Sequence, residues 1–303
     1  MKKLLVLIIA ALLLAACGEK QDAKPRIGLV MKTLSNPFFK TMEAGASAEA
    51  ERLGVELIVQ TPPKETDFEK QAQIVENMIL MQLDAILIAP AASRELVSVL
   101  LKANQAGIPV LNIDNPLDPE AVKERGLKLE SYVGADNFDG GKLCGKYLAE
   151  ALNGKGQVAI IEGIPGTQNA EDRKNGFLDA VKEYPDIEVV ASQTAHWVME
   201  EALDVFSAIL QANPDITGVF CANDMMALGA LKAVEKAGKD VTIVSYDNLD
   251  VVKPLIREGK ILGSVEQFPD SMGVYGVRFA MDVINGKAVP ENYKVNLKFN
   301  QEK

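Results

Sequence analysis

The chain has 303 residues, in which 32 lysines and arginines face 42 aspartates and glutamates, so its formal net charge is −10. This excess of negative charge argues against nucleic acid or an anionic lipid surface as a partner recognised by charge. One histidine and no Cys-x-x-Cys pair leave no recognisable metal site, and no cofactor is expected.

The N-terminus has the pattern of a secretory signal peptide. Two lysines precede an uninterrupted apolar run at residues 4–16, which is shorter than the roughly 20 residues of a membrane-spanning helix. The run ends in Leu14-Ala15-Ala16-Cys17, which resembles the lipobox of bacterial lipoproteins. That resemblance implies cleavage before Cys17 and lipidation of its sulfur; an ordinary signal peptide ending beside a cysteine is the alternative. Residues 1–16 are therefore expected to be a signal peptide, and 17–25 a lipidated tether.

Two further cysteines, Cys144 and Cys221, lie far apart in the sequence and in apolar surroundings. Such a pair is not a disulfide framework, and buried free thiols are expected. Without residues 1–16, 30 basic residues face 42 acidic ones, and the net charge becomes −12.

Short apolar runs rich in valine and isoleucine predict strands in two series. The first comprises 26–32, 55–60, 85–89, 109–113 and 131–134, and the second comprises 157–162, 187–191, 218–222, 241–245 and 262–266. Near-continuous apolar strands are typical of parallel sheets that are covered on both faces.

Between these runs, apolar residues recur with helical spacing. Phe39, Met42, Ala46 and Ala50 step by three or four residues, and Gly54 is expected to end this helix. Further helices are predicted at 65–81, 93–106, 138–152, 169–183, 199–211, 225–237 and 269–284. Alternating strands and helices predict an α/β, doubly wound architecture, and ten strands fit two sheets in two lobes better than one.

Polar and aromatic side chains follow the ends of many predicted strands. Ligands of parallel sheets bind outside the carboxyl ends of the strands, so these residues are candidate contacts. The candidates are Lys32, Asn36, Phe38, Phe39, Asp114, Asn115, Arg173, Trp197, Asn223, Asp247 and Gln267. Carboxylates, amides and guanidinium groups match sugar hydroxyls, which both donate and accept, and aromatic rings cover the C–H faces of a sugar ring.

Each candidate also has a purely structural interpretation. Asn36 is a good N-cap for a helix beginning at Pro37, and the phenylalanines and the tryptophan could belong to the core. Asp114 and Asp247 could be turn or cap residues, and Arg173 could be an exposed helix residue. The placement of the whole set after strands favours a ligand site.

From Arg26 nearly to the C-terminus, the chain resembles the periplasmic sugar-binding proteins of the ribose- and allose-binding type. The resemblance rests on Lys32-Thr-Leu-Ser-Asn-Pro-Phe-Phe39, Val190-Ala-Ser-Gln193, Cys221-Ala-Asn-Asp224 and Gln267-Phe-Pro-Asp270. Lys32 is similar to the allose-binding type, whereas ribose-binding members carry a small polar residue there. Asn115 departs from the ribose type, which carries an arginine.

The resemblance implies a type I periplasmic binding protein fold, with two lobes joined by a three-crossing hinge. The N-terminal lobe is expected at 26–135 plus 268–296 and the C-terminal lobe at 136–267 plus 297–303. Phe38, Phe39 and Trp197 would be ring platforms, and the hydrogen-bonding set would be Lys32, Asn36, Asp114, Arg173, Asn223, Asp247 and Gln267.

The implied function is a solute-binding lipoprotein of an ABC-type importer that closes on a monosaccharide, with an ABC permease as partner. It is expected to be a monomer in the cell envelope, in the periplasm or on the outer face of the plasma membrane. A polyol, sugar acid or signalling furanose, feeding uptake or chemotaxis, is the alternative ligand class. A sugar-responsive repressor is not expected, because it would begin with a basic DNA-binding headpiece, whereas this chain is acidic and carries a predicted signal peptide in that place. An enzyme is not expected, because no Gly-x-Gly-x-x-Gly follows the first strand and no phosphate-binding Gly-Lys-Ser/Thr occurs.

Overall fold

The structure, a computed structural model, describes residues 24–301. The predicted signal peptide and the lipidation site at Cys17 lie outside the described residues. Within residues 24–301, no helix combines the length and the apolar character needed to cross a membrane.

Strands and helices alternate along the chain, as the two periodicities predicted. The strands are β1 (Arg26–Val30), β2 (Glu56–Gln60), β3 (Ala85–Ile88), β4 (Val110–Ile113), β5 (Leu129–Gly134), β6 (Lys155–Glu162), β7 (Asp186–Thr194), β8 (Ile216–Cys221), β9 (Thr242–Tyr246), β10 (Gly263–Glu266), β11 (Asn292–Lys294) and β12 (Lys298–Asn300). The helices are α1 (Pro37–Leu53), α2 (Phe68–Leu80), α3 (Val97–Gln105), α4 (Pro119–Arg125), α5 (Asn137–Ala151), α6 (Gln168–Val181), α7 (Met199–Ala212), α8 (Asp224–Ala237), α9 (Lys253–Arg257) and α10 (Pro269–Ile284).

The strands form two six-stranded sheets with matching topology. The first has the order β11-β5-β4-β3-β1-β2, and the second has the order β12-β10-β9-β8-β6-β7. All pairs are parallel except the edge pair of β10 with β12. Each sheet therefore repeats the doubly wound order 2-1-3-4-5 with one added edge strand, which confirms the predicted fold class.

Helices cover both faces of each sheet, as parallel strands require. Helices α1 to α4 and α10 pack with the first sheet to form what we term the first lobe, and α5 to α9 pack with the second sheet to form the second lobe. The chain passes between the lobes three times: from β5 to α5, from β10 to α10, and from β11 to β12.

The cores of the lobes explain why the apolar runs form strands. Ile86, Leu87 and Ile88 of β3 are completely buried, and complete burial of such a side chain contributes about 1.5–3 kcal/mol. Cys144 and Cys221 are buried free thiols within the second lobe, as predicted.

Four short elements were not predicted from the sequence: α4, α9, β11 and β12. Each has only three to seven residues, too few to show a period. For α4 local signals were present, because Asp118 caps its first turn, Pro119 begins it and Gly126 ends it with a positive φ of 69°.

Candidate functional site

The carboxyl ends of the strands of both sheets face one another around a small cavity that is lined mostly by buried side chains. The lining residues are Lys32, Asn36, Phe38, Phe39, Glu65 and Asp114 from the first lobe and Asn169, Arg173, Trp197, Asn223, Asp247 and Gln267 from the second lobe and its crossing.

The first lobe contributes a buried ion pair at the ends of β1 and β4. Lys32 Nζ lies 3.3 Å from Asp114 Oδ2, and the two side chains are 2% and 3% exposed. The hydroxyl of Tyr132 donates a hydrogen bond of 2.8 Å to the backbone carbonyl of Asp114. This contact helps to hold Asp114 in a left-handed conformation with a φ of 64°.

The N-terminus of α1 brings two rings and an amide to the same wall. Asn36 accepts a hydrogen bond from the backbone N–H of Phe38, so it caps the helix, and its amide donates to Glu65 Oε1 at 2.9 Å. The rings of Phe38 and Phe39 meet edge to face with centroids 5.0 Å apart. The capping and core interpretations of these residues are therefore compatible with a place at the cavity.

Arg173 on α6 is held in the second lobe's wall by two hydrogen bonds and a ring contact. Its Nε donates to Asn137 Oδ1 and its Nη1 to the carbonyl of Ala222, both at 2.8 Å. The guanidinium carbon lies 3.7 Å from the ring centroid of Tyr246, within the range of a cation–π contact. These contacts orient the guanidinium towards the cavity.

Close packing of α5 against α6 positions Arg173 along the second sheet. A Cβ atom on Gly141 would approach the carbonyl oxygen of Arg173 to 2.0 Å, and one on Gly176 would approach that of Phe138 to 1.9 Å. Only glycine permits this approach.

Asp247 and Gln267 complete the polar wall at the ends of β9 and β10. Gln267 Nε2 donates to Asp247 Oδ1 at 2.6 Å, and Arg173 Nη1 lies 3.7 Å from the same oxygen. Burial raises the pKa of Asp247 well above its usual range, although the neighbouring Arg173 charge opposes the shift. Burial also raises the pKa of Glu65, against the opposing charge of Lys32.

Several lining residues have strained backbones. Asp114, Trp197 and Asp247 have positive φ values of 64°, 67° and 112°, and Phe268, at the second crossing, has a φ of 52°. Non-glycine residues in this region cost about 1–3 kcal/mol each and cluster at functional sites. The concentration of strain around one cavity supports its assignment as the functional site.

Three buried polar atoms on lining residues have no hydrogen-bond partner within the described chain: Asn169 Oδ1, Trp197 Nε1 and Gln267 Oε1. A fourth atom, Asp114 Oδ2, accepts no hydrogen bond there but lies 3.3 Å from Lys32 Nζ in the ion pair. Leaving an uncharged buried polar atom unsatisfied costs about 1–3 kcal/mol. Two of the three atoms accept and one donates, so the wall is suited to a ligand that carries both donors and acceptors. A compact polyhydroxyl compound has this character.

All but one of the predicted ligand contacts lie at this cavity. Asn115 does not, because its side chain is engaged elsewhere: Nδ2 donates to the carbonyl of Pro90 at 2.9 Å, and Oδ1 accepts from the backbone N–H of Asn169 at 3.1 Å. We therefore do not carry Asn115 forward as a ligand contact. For the other candidates, ligand contact remains a prediction.

Sequence reasoning missed Glu65 and Asn169. Glu65 lies in the loop after β2, and Asn169 is in the first turn of the helix that follows β6. Both positions obey the rule that located the other candidates, so the signal was present in the sequence. With Glu65, the cavity wall holds three carboxyl groups rather than two, and its cations are Lys32 and Arg173.

The lining residues include no serine, cysteine or histidine, so the described cavity wall contains no Ser–His or Cys–His pair of the kind that activates a nucleophile. Within residues 24–301, no group of three His, Cys, Asp or Glu side chains is arranged to hold a metal ion. The side chains of the wall can recognise a ligand by hydrogen bonds, charge and ring stacking.

Comparison with known proteins gives consistent matches over most of the chain. Residues 27–288 match the family model of the periplasmic binding protein domain. The D-ribose/D-allose-binding protein of Pseudomonas aeruginosa is 40% identical over 302 residues, covering 95% of this chain and 93% of that protein. The D-allose-binding periplasmic protein of Escherichia coli is 36% identical over 272 residues, or 88% of each chain. A solved ABC transporter periplasmic solute-binding protein from Actinobacillus succinogenes with bound D-allose has a TM-score of 0.88 at 44% identity, covering 92% of this chain and 98% of that one.

Proposed function

The chain belongs to the periplasmic binding protein family, and we propose that it binds a monosaccharide of the allose or ribose kind for an ABC-type importer. The observation that carries this proposal is the small buried cavity whose walls come from both lobes. Its lining residues include two phenylalanines and a tryptophan. Some of its buried polar atoms have no hydrogen-bond partner within the described chain. Its role is binding, not catalysis.

Closure of the two lobes is the proposed mechanism. Lys32, Asp114 and Arg173 are only 1%, 3% and 3% exposed, so a ligand reaches them only if the lobes separate. Contacts from both lobes exist together only in the closed state, so a ligand that makes them all shifts the equilibrium towards closure.

The proposed energetics are those of a few strong hydrogen bonds. A hydrogen bond to a charged partner contributes about 1.5–3 kcal/mol, and Lys32, Asp114, Arg173 and Asp247 each offer such partners. A handful of these bonds, less the cost of ordering, gives a binding free energy of about −8 kcal/mol, which corresponds to a micromolar Kd.

The charge of the site favours a neutral sugar over a sugar acid. Lys32 already lies beside Asp114 and Arg173 beside Asp247, so a sugar carboxylate would lose its hydration in a buried site whose two cations already have carboxyl partners. The relatives named for D-ribose and D-allose point to the same neutral class.

The proposal includes the cellular context. Cleavage before Cys17 and a lipid on its sulfur would tether the protein, as a monomer, in the periplasm or on the outer face of the plasma membrane, where an ABC permease receives the sugar. The proposed lobe boundaries are 26–135 plus 268–296 for the first lobe and 136–267 plus 297–303 for the second.

A thermal-shift screen tests the proposal. The purified protein is melted with D-allose, D-ribose, other monosaccharides, polyols, sugar acids and amino acids, since a ligand of the native state raises the melting temperature by mass action. A rise with neutral aldoses only is expected. A rise confined to a sugar acid or an amino acid would overturn the monosaccharide assignment.

A further inference from the structure

Two side chains of the first lobe bond across the cleft to the N-terminus of α6 in the second lobe. Ser93 Oγ accepts a hydrogen bond from the backbone N–H of Gln168 at 3.0 Å, and Asn115 Oδ1 accepts one from that of Asn169 at 3.1 Å. Ser93 and Asn115 are buried, at 2% and 0% exposure. Neither side chain lines the cavity.

These bonds satisfy backbone groups that α6 itself leaves open. The first N–H groups of a helix have no partner within it and are normally capped by the preceding residue. Thr167 precedes α6 but makes no capping bond, because its hydroxyl donates to the carbonyl of Ile164. The cap of α6 therefore comes from the opposite lobe.

The first lobe holds the two capping side chains rigidly. Ser93 Oγ donates to the carbonyl of Pro116 at 2.9 Å, and Asn115 Nδ2 donates to the carbonyl of Pro90. Their acceptor oxygens are thus already directed at the cleft. If the lobes separate as proposed, the N–H groups of Gln168 and Asn169 would face water and the two cross-cleft bonds would be lost.

We propose that Ser93 and Asn115 form a latch that caps α6 only in the closed state and thereby sets ligand affinity without touching the ligand. The inference rests on the proposed closure around a ligand. Helix α6 carries Asn169 and Arg173, which line the cavity, so the latch is a positioning device for these two residues.

Ser93→Ala and Thr167→Val make a matched pair of variants. Each removes one hydroxyl that donates to a carbonyl within its own lobe, Ser93 to Pro116 and Thr167 to Ile164. Only Ser93 also accepts a bond across the cleft. Any difference between the variants in binding therefore reports the bonds that Ser93 Oγ accepts, one across the cleft from Gln168 and one at 3.3 Å from the amide of Asn115 in its own lobe. The variant Asn115→Ala removes the second of these bonds without removing the first.

The variants are compared by calorimetry and stopped-flow fluorescence with D-allose or the best sugar of the screen. Ser93→Ala is expected to bind about fivefold more weakly, the equivalent of one hydrogen bond of ordinary strength. The dissociation rate should rise by that factor and the association rate should not change, because the latch forms after encounter. Thr167→Val should bind as the wild type does. Equal constants in the two variants would overturn the latch and leave the sugar-binding proposal standing.

Asn115→Ala provides a second variant, expected to bind at least as weakly as Ser93→Ala. Its ligand-free melting temperature is measured as well, since it also loses the bond to Pro90. A lowered melting temperature with unchanged dissociation rate would assign Asn115 a purely structural role and overturn its place in the latch.

If the wild type binds no sugar, the proposed function fails and the latch is still tested without ligand. Spin labels at Glu124→Cys and Lys182→Cys, at exposed positions of the two lobes, report the closed fraction in a protein that also carries Cys17→Ser, and the buried native thiols of Cys144 and Cys221 stay unlabelled. The closed fraction should fall in Ser93→Ala but not in Thr167→Val. Equal fractions in wild type and Ser93→Ala would overturn the latch.

Discussion

Asp114→Asn isolates the charge of one cavity residue with little disturbance of the backbone. Asp114 has a positive φ of 64°, and asparagine is among the few residues that adopt this conformation readily. The hydrogen bond from Tyr132 goes to the backbone carbonyl of Asp114 and is kept. An alanine at this position would confound binding with backbone strain.

The expected effect follows from two terms. A ligand hydroxyl that bonds to the Asp114 carboxylate gains about 1.5–3 kcal/mol, most of which a neutral amide forfeits. The variant also leaves Lys32 without its partner 3.3 Å away in a closed cavity, where an unpaired charge is costly. The unpaired charge of Lys32 destabilises the closed protein but not the open protein, in which water reaches it. Together the two effects should weaken sugar binding about 10- to 150-fold.

Calorimetry with the sugar identified by the screen measures the change, and Asp118→Asn is the control. Asp118 is also in the first lobe and pairs with Arg94 at 2.8 Å, but outside the cavity. Its variant should bind as the wild type does. A Kd for Asp114→Asn within threefold of the wild type, in a protein that still melts cooperatively, would refute the reasoning.

Three further predictions concern the second lobe. Asp247→Asn should weaken sugar binding at least tenfold, because Arg173 loses its ion pair; an unchanged calorimetric Kd would remove Asp247 from the site. Trp197 lines the cavity, so its fluorescence should change on sugar addition, and a flat titration alongside calorimetric binding would place the ring away from the ligand. Burial raises the pKa of Asp224 to about 7, above its unfolded value of about 4, so the stability it contributes is present at low pH and lost as pH rises through 7. The melting temperature of Asp224→Asn relative to that of the wild type should therefore be higher at about pH 8 than at about pH 5, and equal differences at the two pH values would contradict this.

The sequence carried the information for the architecture because that information is local. The continuous apolar run at 85–89 and the three- to four-residue spacing from Phe39 to Ala50 are each readable within one element. Strand after strand, the same reasoning placed polar residues at one edge of each sheet. The short strands β11 and β12 were missed because three residues show no period and their pairing depends on the distant strands β5 and β10.

The same distinction between local patterns and contacts of distant segments applies to the residues of the candidate site. Asp114 and Asp247 directly follow strands and Lys32 comes two residues after one, so their position at the carboxyl edge follows from the strand itself. Whether a side chain at that edge points into the cavity depends on the path of its loop and on what it meets there. Adjacent residues illustrate this, since Asp114 faces the cavity and Asn115 turns to cap a helix of the other lobe.

The sequence by itself therefore determined the two doubly wound sheets, the set of residues at their carboxyl ends and the polar, ring-lined character of the site. Only the tertiary structure decided that Glu65 and Asn169 join the wall, that Asn115 leaves it, and that the cap of α6 crosses the cleft. The physical reason is that periodicity and capping act over a few residues of one chain segment. The hydrogen-bond partners of a buried side-chain amide, such as that of Asn115, depend on which distant segments of the two lobes lie beside it, and no local sequence pattern predicts that.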